Sequence, residues 1–561
     1  MAVQKERNHA DSTQAGLLPC RGWRLLTSGL ILLVIPILFF ITVLQLTKAR
    51  GPQWMPYTFE NPYNYLFTSL LLIKGQSPSY IMHPGTTTQT FGAVVLRAST
   101  LRSSESLIEY TLRNPERQLK LLQRSLLIFT VLLLWLAPWL TATLLRNNIV
   151  AFLIQVPSLF LQSFFWWGIQ FGPELMLTGF SIAAVCGCAL LVAPPMSPQK
   201  LDLIFGVGYD STIPGPSRTL RLPLLAAIVG LICGFGLVTK LTFFPLVLIS
   251  LVCCRTLRNL LTFAASFLVA TAVALLPIYP QLPRLVTWIF DLGIHSGQYG
   301  AGSVGLPETS VYLSALSDFL QSEPLIAIIP IATAMVAILL VFLPKKDKSA
   351  GTISWSIVLA LFGIQFLSYL TIAKHPSLHY LIPLSITIGL SFVLLFYASE
   401  SRGAAGRIIG SVTLLALVFL GCKYFIEQTP ETYATLRSET ADQLRLYQHA
   451  KELTKNDVRV DYFFSDSPDF PLCNGDGAAD NAFGQILARL YPKKLFFNVY
   501  NGQFQTFTEF IKPEIVLQNY DHLYFLGNPK FFPKLDGFDP ARFQTIDQAG
   551  DYCLQKWTRE K

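Results

Sequence analysis

The stretch His83-Pro84-Gly85-Thr86-Thr87-Thr88-Gln89-Thr90-Phe91-Gly92-Ala93-Val94-Val95-Leu96-Arg97-Ala98-Ser99-Thr100 decides how the chain is threaded. Its second half is apolar, as a membrane span would be. It is nevertheless too short and too polar for a lipid-exposed span, which needs about 20 apolar residues. Pro84-Gly85 marks a tight turn, and the threonines that follow suit a helix start. The spacing predicts a turn leading into a helix over 86–101 that lies at the membrane surface without crossing. If it crossed, every later connection would change sides.

Charge chooses between the two threadings, because cytoplasmic loops carry an excess of Lys and Arg. Let the first apolar run pass from inside to outside and let 86–101 stay on the outer side. Then Lys5, Arg24, Arg146, Arg255, Lys345 and Arg407, among others, fall inside, and the short outer connections hold Lys240, Arg284, Lys374 and Lys423. The same parity brings five polar segments to one outer face: 51–92, 167–174, 239–242, 278–322 and 373–380.

Composition agrees with a membrane protein. Of 561 residues, 52% are hydrophobic and 14% charged, against about 25% charged in a soluble domain. One large soluble enzyme, a disordered chain, a disulfide-framed secreted module and a coiled coil are excluded. A polar tail, 1–24, precedes an apolar run to about Leu46 with no cleavage site after it, which reads as an uncleaved signal anchor. Further apolar runs at 125–145, 148–166, 174–193, 222–239, 241–253, 258–277, 324–343, 353–372, 378–398 and 408–426 bring the total to about eleven spans.

After Thr429 the composition changes. Residues 430–561 hold 15 Lys+Arg and 18 Asp+Glu, a net of −3, so the basic excess, a net of +12, belongs to the membrane part. Loop orientation explains that excess, and a nucleic-acid partner is not expected. Segments 457–465, 494–500 and 521–527 read as strands and 483–490 as a helix. The expected architecture is an α-helical polytopic membrane protein with juxtamembrane helices. It has a cytoplasmic tail 1–24, a membrane domain 25–428 with a long first outer loop 47–123, and a small α/β extracytoplasmic domain 429–561. Five cysteines in apolar runs read as core residues. Cys473 and Cys553 in the tail could be bridged if that domain lies outside the cytosol.

Several outer-face residues could carry chemistry. A carboxylate near a bilayer is costly unless solvated or paired, which singles out Glu60, Glu174 and Asp291. Glu60 could take a proton from a hydroxyl or simply sit beside the start of a helix opened by Asn61-Pro62. His83 and the turn after it could hold a phosphate or form an ordinary capped loop. Glu174, after Gly172-Pro173, could complement a helix dipole or position a basic partner. Lys240 could snorkel or pair a lipid phosphate. The Gly-rich segment with His295 and Tyr299 could close over a substrate or be a connector. Lys374, His375 and His379 fall on about one helical turn, where they could bind an anion or cap the helix. A metal is less favoured there, since no Glu follows in zincin fashion.

In order, Glu60-Asn61-Pro62-Tyr63, His83-Pro84-Gly85, Gly172-Pro173-Glu174, Thr239-Lys240-Leu241-Thr242, His295-Ser296-Gly297-Gln298-Tyr299-Gly300 and Lys374-His375-Pro376 with His379-Tyr380 resemble a known pattern. It is that of the GT-C superfamily of polyprenyl-phosphate-dependent membrane glycosyltransferases, in particular the branch grouped with the RgtA/B/C/D-like domain, which is mannosyltransferase-like. The resemblance implies transfer of a sugar from a polyprenyl-phosphate donor to a glycan, lipid or protein hydroxyl on the extracytoplasmic side of the plasma (inner) membrane. The transfer would be inverting, with Glu60 as base and His83, Glu174, Lys240, His295, Tyr299, Lys374, His375 and His379 binding substrate. The family's first-loop acid is usually Asp with a second acid close by. Here Glu60 is followed by Asn61-Pro62, so no cofactor is expected and a divalent cation is not favoured. Two other functions use the same features. A lipid or sugar transporter or flippase would show paired halves and broken helices at mid-membrane depth, and the sequence has neither. A non-catalytic envelope-assembly protein would work through its outer domain.

Overall fold

The computed structural model describes residues 27–55, 62–160, 162–193, 218–297, 302–305, 308–344, 355–374, 377–462, 465–499, 501–531 and 542–559. Among them, eight helices are long and apolar enough to cross a membrane: Thr27–Arg50, Pro115–Leu145, Pro173–Val192, Leu222–Thr239, Leu257–Ile294, Trp355–Ile372, Leu378–Glu400 and Gly403–Leu453. A ninth passes as a pair, Thr309–Ser322 and Leu325–Val341, bent by 84°. Pro324 stands at that break and lacks the N–H that would continue the first helix. All eleven apolar runs are helical, but two are short: Asn148–Leu159 and Leu241–Cys253. The run 148–166 divides where Pro157 enters a 3-10 turn, Val156–Leu159, before the helix Gln162–Gly168.

The bundle has a centre. Pro173–Val192 and Leu378–Glu400 are 83% and 89% buried over their most apolar windows, whereas Leu257–Ile294 is 22% buried. Helices apolar on every side are those that neighbours can surround.

The turn at His83–Gly85 leads into the helix Thr86–Ala98. Its 13 residues extend only about 20 Å, against about 30 Å of hydrocarbon, so it does not cross. It packs on the helix Pro62–Ile73 and on the end of Leu222–Thr239.

The helix Gly403–Leu453, 51 residues long, carries the chain past residue 429 to a sheet. Its strands are β1 (Arg459–Tyr462), β2 (Leu495–Asn498), β3 (Gln503–Gln505), β4 (Phe510–Ile511), β5 (His522–Gly527), β6 (Phe543–Ala549) and β7 (Tyr552–Thr558), in the order β4-β3-β2-β1-β5-β7-β6. β1 is parallel to β2 and β5, and the flanking pairs are antiparallel. Val460, Tyr462, Phe497, Phe504, Phe525 and Trp557 form one core. Tyr524, Leu526 and Leu554 pack against Leu446 and Ala450 of the long helix. The helix Phe470–Ala478 docks on Pro62–Ile73, where Asn474 Nδ2 donates to Asn64 Oδ1 at 3.0 Å. The α/β part is therefore bonded to the segment that follows the first apolar helix.

The bridge between Cys473 and Cys553 does not form; both thiols are free and buried. Cys473 Sγ accepts a hydrogen bond from Gln505 on β3, whereas Cys553 lies on β7. Those strands are four places apart in the sheet, about 19 Å at the usual strand spacing.

Candidate functional site

The site is built where helices break. At the first break, His83 and Gly85 both take positive φ, +67° and +66°. Such a conformation is uncommon for a residue with a Cβ, and it turns the chain sharply enough for the Gly85 N–H to donate to His83 O at 2.8 Å. Gly85 is required here, since a Cβ would lie 3.0 Å from the Tyr65 ring. His83 is buried, with its Nε2 3.3 Å from the Tyr380 hydroxyl and its ring 5.4 Å from that of Trp288. The helix Thr86–Ala98 begins beside it with no side-chain cap. Its first-turn N–H groups add partial positive charge at that end.

At the second break, Leu222–Thr239 ends and Lys240 takes an extended conformation before a short 3-10 turn. Thr239 Oγ1 lies 2.7 Å from Thr87 Oγ1. Lys240 Nζ donates to Glu174 Oε1 at 2.8 Å, and the two side chains are 0% and 1% exposed. The Nζ also lies 4.8 Å from the Tyr380 ring centroid. Glu174 reaches this place because Pro173 opens its helix and puts the acid in the first turn, where a carboxylate complements the helix dipole. A Cβ on Gly172 would come within 2.7 Å of Glu174 Oε2.

At the third break, His379 and Tyr380 stand in a 3-10 turn, Leu378–Leu381. His379 Nδ1 is 2.6 Å from Ser377 Oγ, and its ring is 4.2 Å from that of Trp167.

The structure thus brings together His83, Glu174, Lys240 and His379. It sets His295 and Lys374 in a second group. Lys374 Nζ donates to Leu292 O and Gly293 O at 3.0 and 2.9 Å, at the end of the helix Leu282–Ile294. His295 Nδ1 is 2.8 Å from Gly302 O across a small hairpin. The expected helical turn shared by Lys374 and His379 does not exist: one helix ends at Ala373 and the next turn begins at Leu378. Pro376 lies between them in sequence, and a residue before proline is biased away from the helical region. Glu60, Tyr299 and His375 lie outside the described residues.

Contacts through His83, Thr87, Trp167, Glu174, Trp288 and Lys374 join all five polar segments. Tyr380, which touches both His83 and Lys240, is the member of this cluster that sequence reasoning quoted in a motif but did not single out. Its only signal was adjacency to His379. The arrangement places an ammonium paired with a carboxylate, an imidazole and a phenol hydroxyl beside a helix start without a side-chain cap. Among the described residues, no group of three or more His, Cys, Asp or Glu is placed to hold a metal ion.

No protein-family profile and no curated protein matches the chain. Among solved structures, it is similar to ArnT from Cupriavidus metallidurans bound to undecaprenyl phosphate, at 9% identity and a TM-score of 0.45 over 95% of this chain and 98% of that one. It is also similar to the oligosaccharyltransferase of Archaeoglobus fulgidus in its apo form, at 11% identity and a TM-score of 0.38 over 90% of this chain and 70% of that one. The same organism's oligosaccharyltransferase AglB, in complex with an inhibitory peptide and a dolichol-phosphate, aligns at 12% identity and a TM-score of 0.37 over 89% of this chain and 69% of that one. At this identity and overlap they assign no family, and the chain's own residues carry its functional reading.

Proposed function

We propose that this chain is a membrane glycosyltransferase of the GT-C kind. It moves a sugar from a polyprenyl-phosphate donor to an acceptor hydroxyl on a glycan, lipid or protein. The observation that carries this reading is the buried Glu174–Lys240 pair beneath His83 and Tyr380. Burying two charges costs several kcal/mol per ion and returns little net stability. A pair kept at the meeting point of five polar segments is therefore better explained by a ligand than by folding.

In this reading Lys240, His83 and Tyr380 hold the donor phosphate, and Glu174 keeps the ammonium charged and aimed. Glu60 takes the proton of the acceptor hydroxyl. The acceptor oxygen attacks the anomeric carbon opposite the phosphate, the sugar–phosphate bond breaks, and the configuration inverts. Negative charge builds on the leaving phosphate, where fixed donors lower the barrier. Each charge-assisted contact contributes about 1.5–3 kcal/mol, or roughly tenfold to a hundredfold in rate when made only in the transition state. The reaction takes place on the extracytoplasmic side of the plasma membrane, with the N-terminus cytoplasmic and the sheet outside. His295, Tyr299, Lys374 and His375 are assigned to substrate binding in this reading.

The test is sugar transfer from a radiolabelled polyprenyl-phosphate donor by purified protein in nanodiscs. Glu60→Gln keeps the size and removes the base, so turnover is expected to fall by about a hundredfold or more. Turnover close to wild type would remove Glu60 from the mechanism. Failure of the wild type to bind any such donor would remove the reading itself.

A further inference from the structure

Residues 99–124 also line a cavity. It measures about 700 Å³, and its wall includes Arg102, Tyr110, Glu116, Arg117, Lys120 and Arg124. Four cations therefore face one acid, and that acid is already engaged: Glu116 Oε1 accepts from the Tyr63 hydroxyl at 2.8 Å and Oε2 from the Gln53 N–H at 2.7 Å. Arg102 lies over the Tyr110 ring at 3.9 Å. Among the described residues none of the four cations has an ion-pair partner.

Position indicates what such a cavity would take. Arg117, Lys120 and Arg124 share one face of the helix Pro115–Leu145, spaced three and four residues apart. One turn further on, the same face continues as Ile128 and Leu132, 50% and 44% exposed. A cationic pocket thus stands at the head of an exposed apolar stripe on a membrane-spanning helix. An inorganic anion would use only the first feature, whereas an amphiphile uses both. The cavity also stands apart from Lys240. The helix Thr86–Ala98 has the His83 turn at one end, and Ser99 and Thr100 of the cavity wall at the other, about 20 Å apart at 1.5 Å per residue.

We propose that this cavity is a second lipid site, which takes the phosphate headgroup of a membrane amphiphile and lays its hydrocarbon chain along Ile128 and Leu132. A bulk anionic phospholipid and an isoprenoid phosphate share that chemistry. The site does not depend on whether the chain transfers sugars.

The test uses full-length protein in phosphatidylcholine nanodiscs, doped in separate arms with phosphatidylglycerol or with a polyprenyl monophosphate. Retained lipid is counted by native mass spectrometry. A cation near an anionic headgroup is worth about fivefold in binding, so Arg117→Gln/Lys120→Gln/Arg124→Gln is expected to weaken retention about a hundredfold. Arg113→Gln, outside the cavity and paired with Glu109, is expected to leave it unchanged. Loss in the phosphatidylglycerol arm identifies a bulk phospholipid. Loss of one copy in the polyprenyl arm identifies an isoprenoid phosphate: one of two where the Lys240 cluster also holds the lipid, and the single copy where it does not. Equal retention by wild type and triple variant in both arms overturns the proposal. If the triple variant does not elute as a single species, the exposed single variant Arg124→Glu decides instead, and unchanged retention there overturns it equally.

Discussion

Lys240 and Lys374 look alike in the sequence and occupy opposite kinds of place in the molecule. Each stands at a break between two apolar runs. Lys240 is fully buried against Glu174. Lys374 is half-buried and donates to two carbonyls at the end of the helix Leu282–Ile294. The difference lies in what each break faces. Lys240 meets a helix start that carries an acid, and Lys374 meets a helix end whose last carbonyls have no partner within the helix. A cation at a span end is thus visible in the sequence, but the opposing terminus decides whether it becomes a buried charge or a cap.

The contrast is sharpest when the lysines are removed in parallel. Lys240→Met removes the ion-pair partner of the buried Glu174, and breaking a buried pair from one side costs about 3–5 kcal/mol. The melting temperature of the detergent-solubilised protein is expected to fall steeply and donor binding to disappear. Lys240→Met/Glu174→Gln removes both charges and is expected to recover much of the stability without recovering binding. A Lys240→Met variant no less stable than Lys374→Met would break the comparison.

Asp476 sharpens it from the side of the acid. Like Glu174 it is a buried carboxylate, but its Oδ1 accepts only the Phe483 N–H and its Oδ2 has no partner among the described residues. Burial pushes it from the ordinary 3.8 up to about 6, against the opposing pull of that N–H and of Lys74. In the unfolded chain it releases its proton near 3.8, whereas the folded chain keeps it until about 6. Stability therefore declines as pH rises through that window, and the full penalty, about 3 kcal/mol, stands above it. Asp476→Asn keeps the Oδ1 acceptor. It is expected to raise the melting temperature at pH 7.5 and to leave it unchanged near pH 3.5. An equal shift at both values would show that charge is not the cause.

The fold was legible to the extent that the bilayer and the sheet centre impose composition. A span must be apolar over its length, so all eleven apolar runs were visible, although among the described residues nine at most, counting the bent pair, are long enough to cross. How 148–166 would divide depended on a 3-10 turn around Pro157. The strands β1, β2 and β5 were visible because a parallel centre is buried on both faces. β3 and β4 hold only three and two residues, and β6 is a half-exposed edge, so none carries an apolar run. At the site, the parity of the spans brought the right segments together, but pairing was not legible. The match of Glu174 with Lys240 spans 66 residues, and no local pattern encodes it. Lys374 was grouped with His379 by spacing, but one helix ends at Ala373 and the next turn begins at Leu378, and the two side chains meet different partners.

The smallest effect tests the cap. Lys374→Gln removes a charge from the end of Leu282–Ile294 but keeps a donor that can still reach one carbonyl. A cation at a helix C-terminus contributes about 0.3–1 kcal/mol, and salt screens it. The expected shift in melting temperature is correspondingly small at low ionic strength and smaller still in molar salt. The Lys240→Met shift should persist in molar salt, because a buried pair is screened much less. Equal salt sensitivity in the two variants would mean that water reaches Lys240, and the buried-pair account of the site would then fail with it.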